Sequence, residues 1–244
     1  MNPVTVIPAR LASSRLPNKV LADIAGKPMI LHVVDRAREA GVGPVLVAAG
    51  DQEIVDVCHA AGVEAVLTDP ALPSGSDRIK VALDIFDPER TFDLVVNLQG
   101  DLPTVEPHVV RTAVALMERP DVDIGTVAAE IDNEHDKTNP DVNKAVFGAD
   151  GRALYFTKAQ APANPGPLYH HIGLYVYRRA ALERFVALPP SMLEKREKLE
   201  QLRALENGMR IDVAIVDTVP LGVDGPADLE KARAMLSAAA QSTT

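Results

Sequence analysis

Three cations, Arg10, Arg15 and Lys19, lie close together near the start of the chain, separated by the small residues Ala12, Ser13 and Ser14. That combination suits an anion, because small side chains let backbone N–H groups approach a phosphate while the cations neutralise it. Residues 1–30 carry four Lys/Arg (Arg10, Arg15, Lys19, Lys27) against one acid, Asp23, in a chain of net charge −9. Such a local excess of positive charge sets this loop apart from an ordinary solvated stretch. Neither G-x-G-x-x-G nor G-x-x-x-x-G-K-[ST] occurs in it, so a phosphate cradle here relies on side-chain charge. Two acids also stand at turns: Asp101, behind Gly100 and ahead of Pro103, and Asp224, between Gly222 and Pro226. Asp224 has a second reading as a helix cap, since Pro226 suits a first helical position.

Positioning these residues requires strands that end where the chemistry begins. Val4–Ile7 is an apolar, β-branched run suited to a buried parallel strand, and Pro8 is expected to stop it for want of an N–H. Open α/β sheets bind ligands at the carboxyl ends of such strands. Met29–Ala40 puts Ile30, Val33, Val34 and Ala37 on one helical face, and Gly41 ends that helix. Strands at 44–49, 63–67 and 92–98 alternate with helices at 52–61, after the Ser74–Arg78 loop, and at 106–117, the pattern of a parallel sheet with crossover helices. Ser74 or Ser76 caps the helix that runs through Ile79, Ala82, Leu83 and Phe86.

The second half is denser in strands. After a strand at 123–131, the polar stretch 132–141 shows no core pattern and reads as a mobile excursion. Strands at 144–147, 153–156 and 172–177 break the alternation and predict an antiparallel layer, while 161–167, with three prolines and a glycine, is irregular. Ser191–Glu206 reads as one charged helix with Leu199, Leu202 and Leu205 on its buried side. A last strand at 210–216, a terminal helix at 227–240 and a frayed end at 241–244 complete the chain. The fold class expected is α/β, a Rossmann-like, mostly parallel sheet flanked by helices with a small antiparallel subdomain over the site.

Composition narrows the function classes. With 47% hydrophobic residues among 244, one large α/β domain has ample core. No stretch approaches the ~20 apolar residues of a membrane span, and a first strand that begins at once leaves no room for a signal peptide. The single cysteine, Cys58, lies in a helical pattern with Ile54, Val55 and Val57 and reads as a buried, inert thiol. A cytoplasmic location is expected, and the net negative charge argues against nucleic acid or an anionic membrane as the main partner.

The string from Val4 to Pro28, VTVIPARLASSRLPNKVLADIAGKP, resembles the nucleotide-binding signature of the sugar nucleotidyltransferases, and in particular of the CMP-Kdo synthetases, the 3-deoxy-manno-octulosonate (Kdo) cytidylyltransferases. The resemblance continues through SGSDR at 74–78, VNLQGDLP at 96–103, NKAV at 143–146, ALYFTKA at 153–159, HHIGLYVYR at 170–178, LEQLR at 199–203 and GVDGPADLEKAR at 222–233. It implies a fold of the nucleotide-diphospho-sugar transferase type. Residues 1–131 would be mainly nucleotide-binding, 132–190 a sugar-binding and dimerisation subdomain, and 191–244 a return to the core that brings the second metal ligand. Ala9, Arg10, Arg15, Lys19, Ser74, Gly75 and Arg78 would bind CTP, with Lys19, Arg10 and Asp101 catalytic. Gln99, His170, His171, Tyr175, Glu200 and Gln201 would bind the sugar, and Asp101 and Asp224 would share Mg²⁺.

Two positions depart from the family pattern: Leu102, where a glutamate is frequent, and His170, where many relatives carry arginine. Adjacent residues of a strand point to opposite faces, so His170 and His171 have different surroundings. The reaction implied is CTP plus Kdo giving CMP-Kdo and diphosphate, for lipopolysaccharide biosynthesis, by a homodimer. A cytidylyltransferase for another 2-keto sugar acid, such as a sialic acid or an amino-Kdo, shares the mechanism. A uridylyl- or molybdopterin-cytidylyltransferase would carry a glycine in the first loop, which is missing. A non-catalytic nucleotide-binding regulator is the reading from another class, and the joint presence of Arg10, Arg15, Lys19, Asp101 and Asp224 weighs against it.

Overall fold

The structure, a computed structural model, describes residues 1–13 and 15–242, with the backbone alone for 239–242. Ser14 of the basic loop, and Thr243 and Thr244 of the expected frayed end, lie outside these residues. The chain forms two compact units, Met1–Val110 with Pro220–Thr244, and Arg111–Val219.

The first unit contains β1 (Pro3–Ala9), a two-stranded hairpin of β2 (Asp23–Ile24) and β3 (Lys27–Pro28), α1 (Met29–Ala40), β4 (Val45–Ala49), α2 (Gln52–Ala60), β5 (Glu64–Leu67), α3 (Gly75–Phe86) and β6 (Leu94–Asn97). Its main strands run in the order β6-β1-β4-β5, all parallel. Val4, Val6, Ile7, Leu46, Val47, Val95 and Val96 are fully buried. Strands covered on both faces read as continuous apolar runs, which is the pattern seen in the sequence. The terminal helix of this unit runs from Pro226 to Ser242, through part of the end expected to fray.

Pro8 does not stop β1, contrary to expectation. The strand continues to Ala9, with Pro8 in register with Ala48 and Ala9 with Ala49. The reason lies in which side each residue faces. Thr5 N–H and Ala9 C=O bond towards β4, whereas Val6 C=O accepts from Leu98 N–H on the β6 side. Alternation puts residue 8 on the β6 side too, and pairing with β6 has ended at Val6 and Asn97. Proline is tolerated where no rung is required.

The boundary between units falls inside α4 (Pro107–Ala115), which a 3₁₀ turn at Leu116–Glu118 ends earlier than the helix expected to Met117. The second unit then holds β7 (Ile124–Glu130), α5 (Glu134–Thr138), β8 (Lys144–Phe147), β9 (Ala153–Thr157), β10 (Tyr169–Arg178), α6 (Arg179–Ala187), α7 (Met192–Glu197), α8 (Leu202–Glu206) and β11 (Ile211–Val216). β7 pairs β11 in parallel and β10 antiparallel, and β8 joins β10 and β9 antiparallel, giving the expected antiparallel layer. The buried Asp212 carboxylate fixes β11 by accepting from Arg210 Nε at 2.8 Å and pairing with Arg119 Nη1 at 2.7 Å.

Two further expectations are corrected in this unit. The polar stretch 132–141 contains α5, whose Asn133 side chain caps the Asp136 N–H at 2.9 Å. No residue of α5 is buried, so hydrophobic periodicity had nothing to report. The single helix expected at 191–206 is broken into α7 and α8, because Lys198 adopts a left-handed φ of 58° and turns the chain. Leu199 and Leu202 are still buried, and Arg203 ties the two helices by bonding Glu194 from Nε at 2.9 Å and Nη2 at 2.5 Å.

His171 lies in the interior of this unit, with its ring edge-on to Phe156 at 4.7 Å. Thr126 Oγ1 spends its proton on Leu174 C=O at 2.7 Å, so His171 Nε2 donates to that oxygen at 3.0 Å. Burial, aided by the charge of His170, drives the His171 pKa down to about 3, so the ring is neutral at physiological pH. The unfolded chain takes up this proton near pH ~6.5, well before the folded one does. The contribution of His171 is therefore complete above pH ~6.5 and is lost as pH falls towards 3, at up to about 1.4 kcal/mol per pH unit. Urea unfolding between pH 7 and 4 (roughly the window where only the unfolded ring titrates) should show a shallower decline in His171→Gln than in the parent; equal slopes would place the titration elsewhere.

Candidate active site

The basic loop leaves the carboxyl end of β1 and is pinned at both ends by backbone contacts. Leu11 N–H donates to Asp51 Oδ2 at 2.8 Å, and Asn18 N–H returns to Leu11 C=O at 3.2 Å. Lys19 then opens a 3₁₀ turn, Lys19–Leu21, anchored by the buried Val20. Asp51 occupies the N-cap position of α2 but makes no side-chain cap bond there. Its carboxylate is spent on the loop instead.

Lys19 Nζ lies 2.8 Å from Asp101 Oδ2 and 3.6 Å from Asp224 Oδ1, and Arg15 Nη2 lies 2.9 Å from the same Asp224 oxygen. The Lys19 side chain is 13% exposed, so this cation is largely withdrawn from solvent. Asp224 reaches it through a segment without helix or strand. Val223, fully buried, donates its N–H to Asp101 C=O at 3.0 Å, and Leu221 N–H donates to Thr104 Oγ1 at 2.8 Å. The expectation that Asp224 caps the last helix has an alternative occupant, since Asp228 Oδ2 accepts from Gly225 N–H at 3.2 Å.

The Ser74 loop completes the wall. Ser74 caps α3, its Oγ accepting from Asp77 N–H at 3.2 Å and donating to Asp77 Oδ2 at 2.7 Å. The first turn of α3 thus presents the positive end of its dipole. Arg78 is buried, with Nη1 donating to Thr68 Oγ1 at 2.5 Å and Asp69 C=O at 3.2 Å, and Nη2 reaching Pro70 C=O at 3.4 Å. Desolvation and the neighbouring charge of Arg10 lower its pKa. Gly50 makes room for this pair, because a Cβ there would stand 2.8 Å from Arg78 Nη1 and 3.2 Å from Arg10 Cβ.

These groups surround one cavity of about 750 Å³. Ala9, Arg10, Arg15, Lys19, Ser74, Gly75, Arg78, Gln99, Asp101 and Asp224 all line it, and of its four cations Arg15 and Lys19 pair with the two carboxylates. Gln99 is oriented by its Nε2 bond to Asn97 Oδ1 at 2.7 Å. The arrangement suits a polyphosphate with its charge spread over several oxygens. Among the described residues no group of three or more His, Cys, Asp or Glu gathers as a metal site. Two carboxylates beside a phosphate cradle nevertheless fit Mg²⁺, which keeps waters and completes its shell with substrate oxygens.

The remaining expected residues belong to the second unit. His170 is half-buried in β10 opposite Lys144, and its pKa is lowered by desolvation, with Asp136 opposing and Lys144 adding to the effect. Tyr175 lies between His171 at 5.5 Å and Tyr177 at 5.9 Å, and burial raises its pKa well above the usual value. Glu200 and Gln201 precede α8, and the buried Gln201 leaves its Nε2 without an acceptor among the described residues. Cys58 is buried, and burial pushes its thiol up to about 11, as expected of an inert cysteine.

Sequence reasoning missed Asp51 and Thr104. The signal for Asp51 was available: Gly50-Asp51 follows β4 just as Gly100-Asp101 follows β6, and those two strands flank β1. Nothing local marks Thr104, whose partner lies at the far end of the chain.

Comparison with known proteins places the chain in a family. The cytidylyltransferase family profile matches residues 4–211. A 3-deoxy-manno-octulosonate cytidylyltransferase of Paramagnetospirillum magneticum is 60% identical over 98% of this chain and 99% of its own. One of Rhodospirillum centenum is 64% identical over 96% and 93%. Among solved structures, a CMP:2-keto-3-deoxy-manno-octonic acid synthetase complexed with CTP superposes with a TM-score of 0.90 at 38% identity, covering 97% of this chain and 99% of that one. A glucose-1-phosphate thymidylyltransferase of Bacillus anthracis, at 18% identity and a TM-score of 0.66, shares the fold over 96% and 94%. With near-complete coverage at such identity, and a basic strand-end loop facing two carboxylates, the chain belongs to the cytidylyltransferase family, in its 3-deoxy-manno-octulosonate branch.

Proposed function

We propose that the chain transfers a cytidylyl group from CTP to Kdo, releasing diphosphate. The observation that carries this reading is the single cavity lined by Arg10, Arg15, Lys19 and Arg78 together with Asp101 and Asp224, in a chain about as long as its cytidylyltransferase relatives. Transfers at phosphorus need alignment and charge stabilisation more than covalent catalysis. Arg10, Arg15 and Lys19 hold the triphosphate and offset the charge that grows on the leaving diphosphate. Ser74, Gly75 and the α3 N-terminus present hydroxyl and N–H groups to the cytosine edge. The anomeric hydroxyl of the sugar attacks the α-phosphorus; an O–P bond forms as the bond from that phosphorus to the oxygen bridging the β-phosphate breaks, diphosphate leaves with that oxygen, and the hydroxyl proton passes to water.

Asp101 and Asp224 would hold Mg²⁺, which, when bound, neutralises phosphate charge and lowers the pKa of the attacking hydroxyl. His170, His171, Tyr175, Glu200 and Gln201 of the second unit would contact the sugar acid, and Gln99 would contribute from the cavity it lines. A buried amide donor without an acceptor costs about 1–3 kcal/mol, which a sugar hydroxyl on Gln201 Nε2 would recover. Functionally, residues 1–131 serve mainly the nucleotide, 132–190 the sugar and dimerisation, and 191–244 return the second acid. Among the described residues no helix is long and apolar enough to cross a membrane, and a cytoplasmic homodimer is the form we infer.

Diphosphate release from CTP, measured with and without Kdo, tests the whole reading. Release that depends on Kdo supports it, whereas release with a sialic acid in preference to Kdo would transfer it to the sister substrate. Asp101→Asn and Asp224→Asn should each lower kcat by about 10²-fold or more, the scale of losing a transition-state charge contact, while calorimetry still detects CTP. Near-parental kcat in either variant at saturating Mg²⁺ would remove the shared-metal assignment. Lys19→Ala should cost about 1.5–3 kcal/mol in kcat/KM for CTP, the value of a charge-assisted bond to phosphate. Unchanged binding and turnover would leave Lys19 a structural counter-ion to Asp101.

A further inference from the structure

We propose that Thr104 is a positioning residue, whose hydroxyl holds the segment carrying Asp224 against the loop carrying Asp101. The inference rests on the reading of Asp224 as an acid of the active site. Residues 218–224 form neither helix nor strand, so their path depends on tethers. Three are visible. Leu221 N–H donates to Thr104 Oγ1 at 2.8 Å, and Val223 N–H donates to Asp101 C=O at 3.0 Å. Gly222 lies over Leu102, with the Cβ position of the glycine 3.7 Å from Leu102 Cδ2.

The two hydrogen bonds bracket Gly222 and fix the chain just before Asp224. Val223 is fully buried and acts as the anchor between Leu221 and Asp224. The Asp224 side chain is half exposed, and its ion pairs with Arg15 at 2.9 Å and Lys19 at 3.6 Å are ones that exposed charges hold weakly unless the backbone presents them. Thr104 is the side-chain acceptor on the stretch before Asp224, whereas Asp228 accepts from Asp224 N–H on the helix side. Thr104 lines no part of the cavity, so its influence on turnover would pass through Asp224.

The test is a double-mutant cycle of Thr104→Val, which keeps the shape and removes the acceptor, with Asp224→Asn, read alongside Thr104→Ser and amide hydrogen exchange. Thr104→Val should lower kcat about tenfold and Thr104→Ser by less than about twofold, and in the Asp224→Asn background Thr104→Val should cost almost nothing more. Exchange at the Leu221 amide should quicken by about tenfold in Thr104→Val, while β1 and β4 amides keep their protection. Full activity of Thr104→Val, or the same loss in both backgrounds, overturns the proposal, the latter by showing that Thr104 acts through the fold at large. Parental kcat in Asp224→Asn alone would overturn the reading of Asp224, and this proposal with it.

Discussion

The contact between Lys19 and the two carboxylates of Asp101 and Asp224 is the one on which the site depends. Two carboxylates brought to one cation repel each other unless that cation stands between them. Lys19 supplies that cation at 2.8 and 3.6 Å, and it does so from a largely buried position where screening is weak. The acids come from distant parts of the sequence, so the contact also closes the chain's two ends onto one loop. Among the described residues Lys19 is the one side chain that meets acids from both the loop after β6 and the segment before the terminal helix.

Around that contact the parallel sheet does the placing. β1 lies between β4 and β6, and all three deliver a loop to the same end of the sheet. The loop after β1 brings the cations, and its neighbours each carry a glycine followed by an aspartate. Asp101 turns into the cavity, whereas Asp51 turns to the backbone of the basic loop at Leu11. The same dipeptide thus serves chemistry on one side of β1 and support on the other. Because Asp51 holds the loop in place beforehand, less ordering entropy is lost when an anion arrives.

The sequence made the first unit readable for physical reasons. Buried parallel strands give continuous apolar runs, α1 gave a clean helical stripe, and Gly41 ends it with a left-handed φ of 66°. Residues that pack locally, such as Ser74 capping α3, were equally legible. What escaped depends on partners far along the chain or on backbone geometry. Pro8 was misjudged because a single strand does not reveal which neighbour each amide faces. The break at Lys198 escaped because leucines three apart fit one continuous helix as well as two short ones. Helix α5 has no buried face, and Thr104 meets Leu221 by tertiary contact alone.

Pro8 also has a consequence for the shape of the cavity. After Val6 C=O has accepted from Leu98 N–H, the next rung towards β6 would be an N–H of residue 8 onto Leu98 C=O. Proline has no such hydrogen, so the ladder cannot zip past this point and the two chains part like the arms of a fork. One arm carries Arg10 away with β4, and the other carries Gln99 to Asp101. Gly100 passes so close that a Cβ would lie 3.0 Å from Pro8 C=O, and Gly75 approaches the ring from the α3 side. The crevice therefore opens just beyond the last β1–β6 rung, at a residue with no backbone proton to extend the ladder.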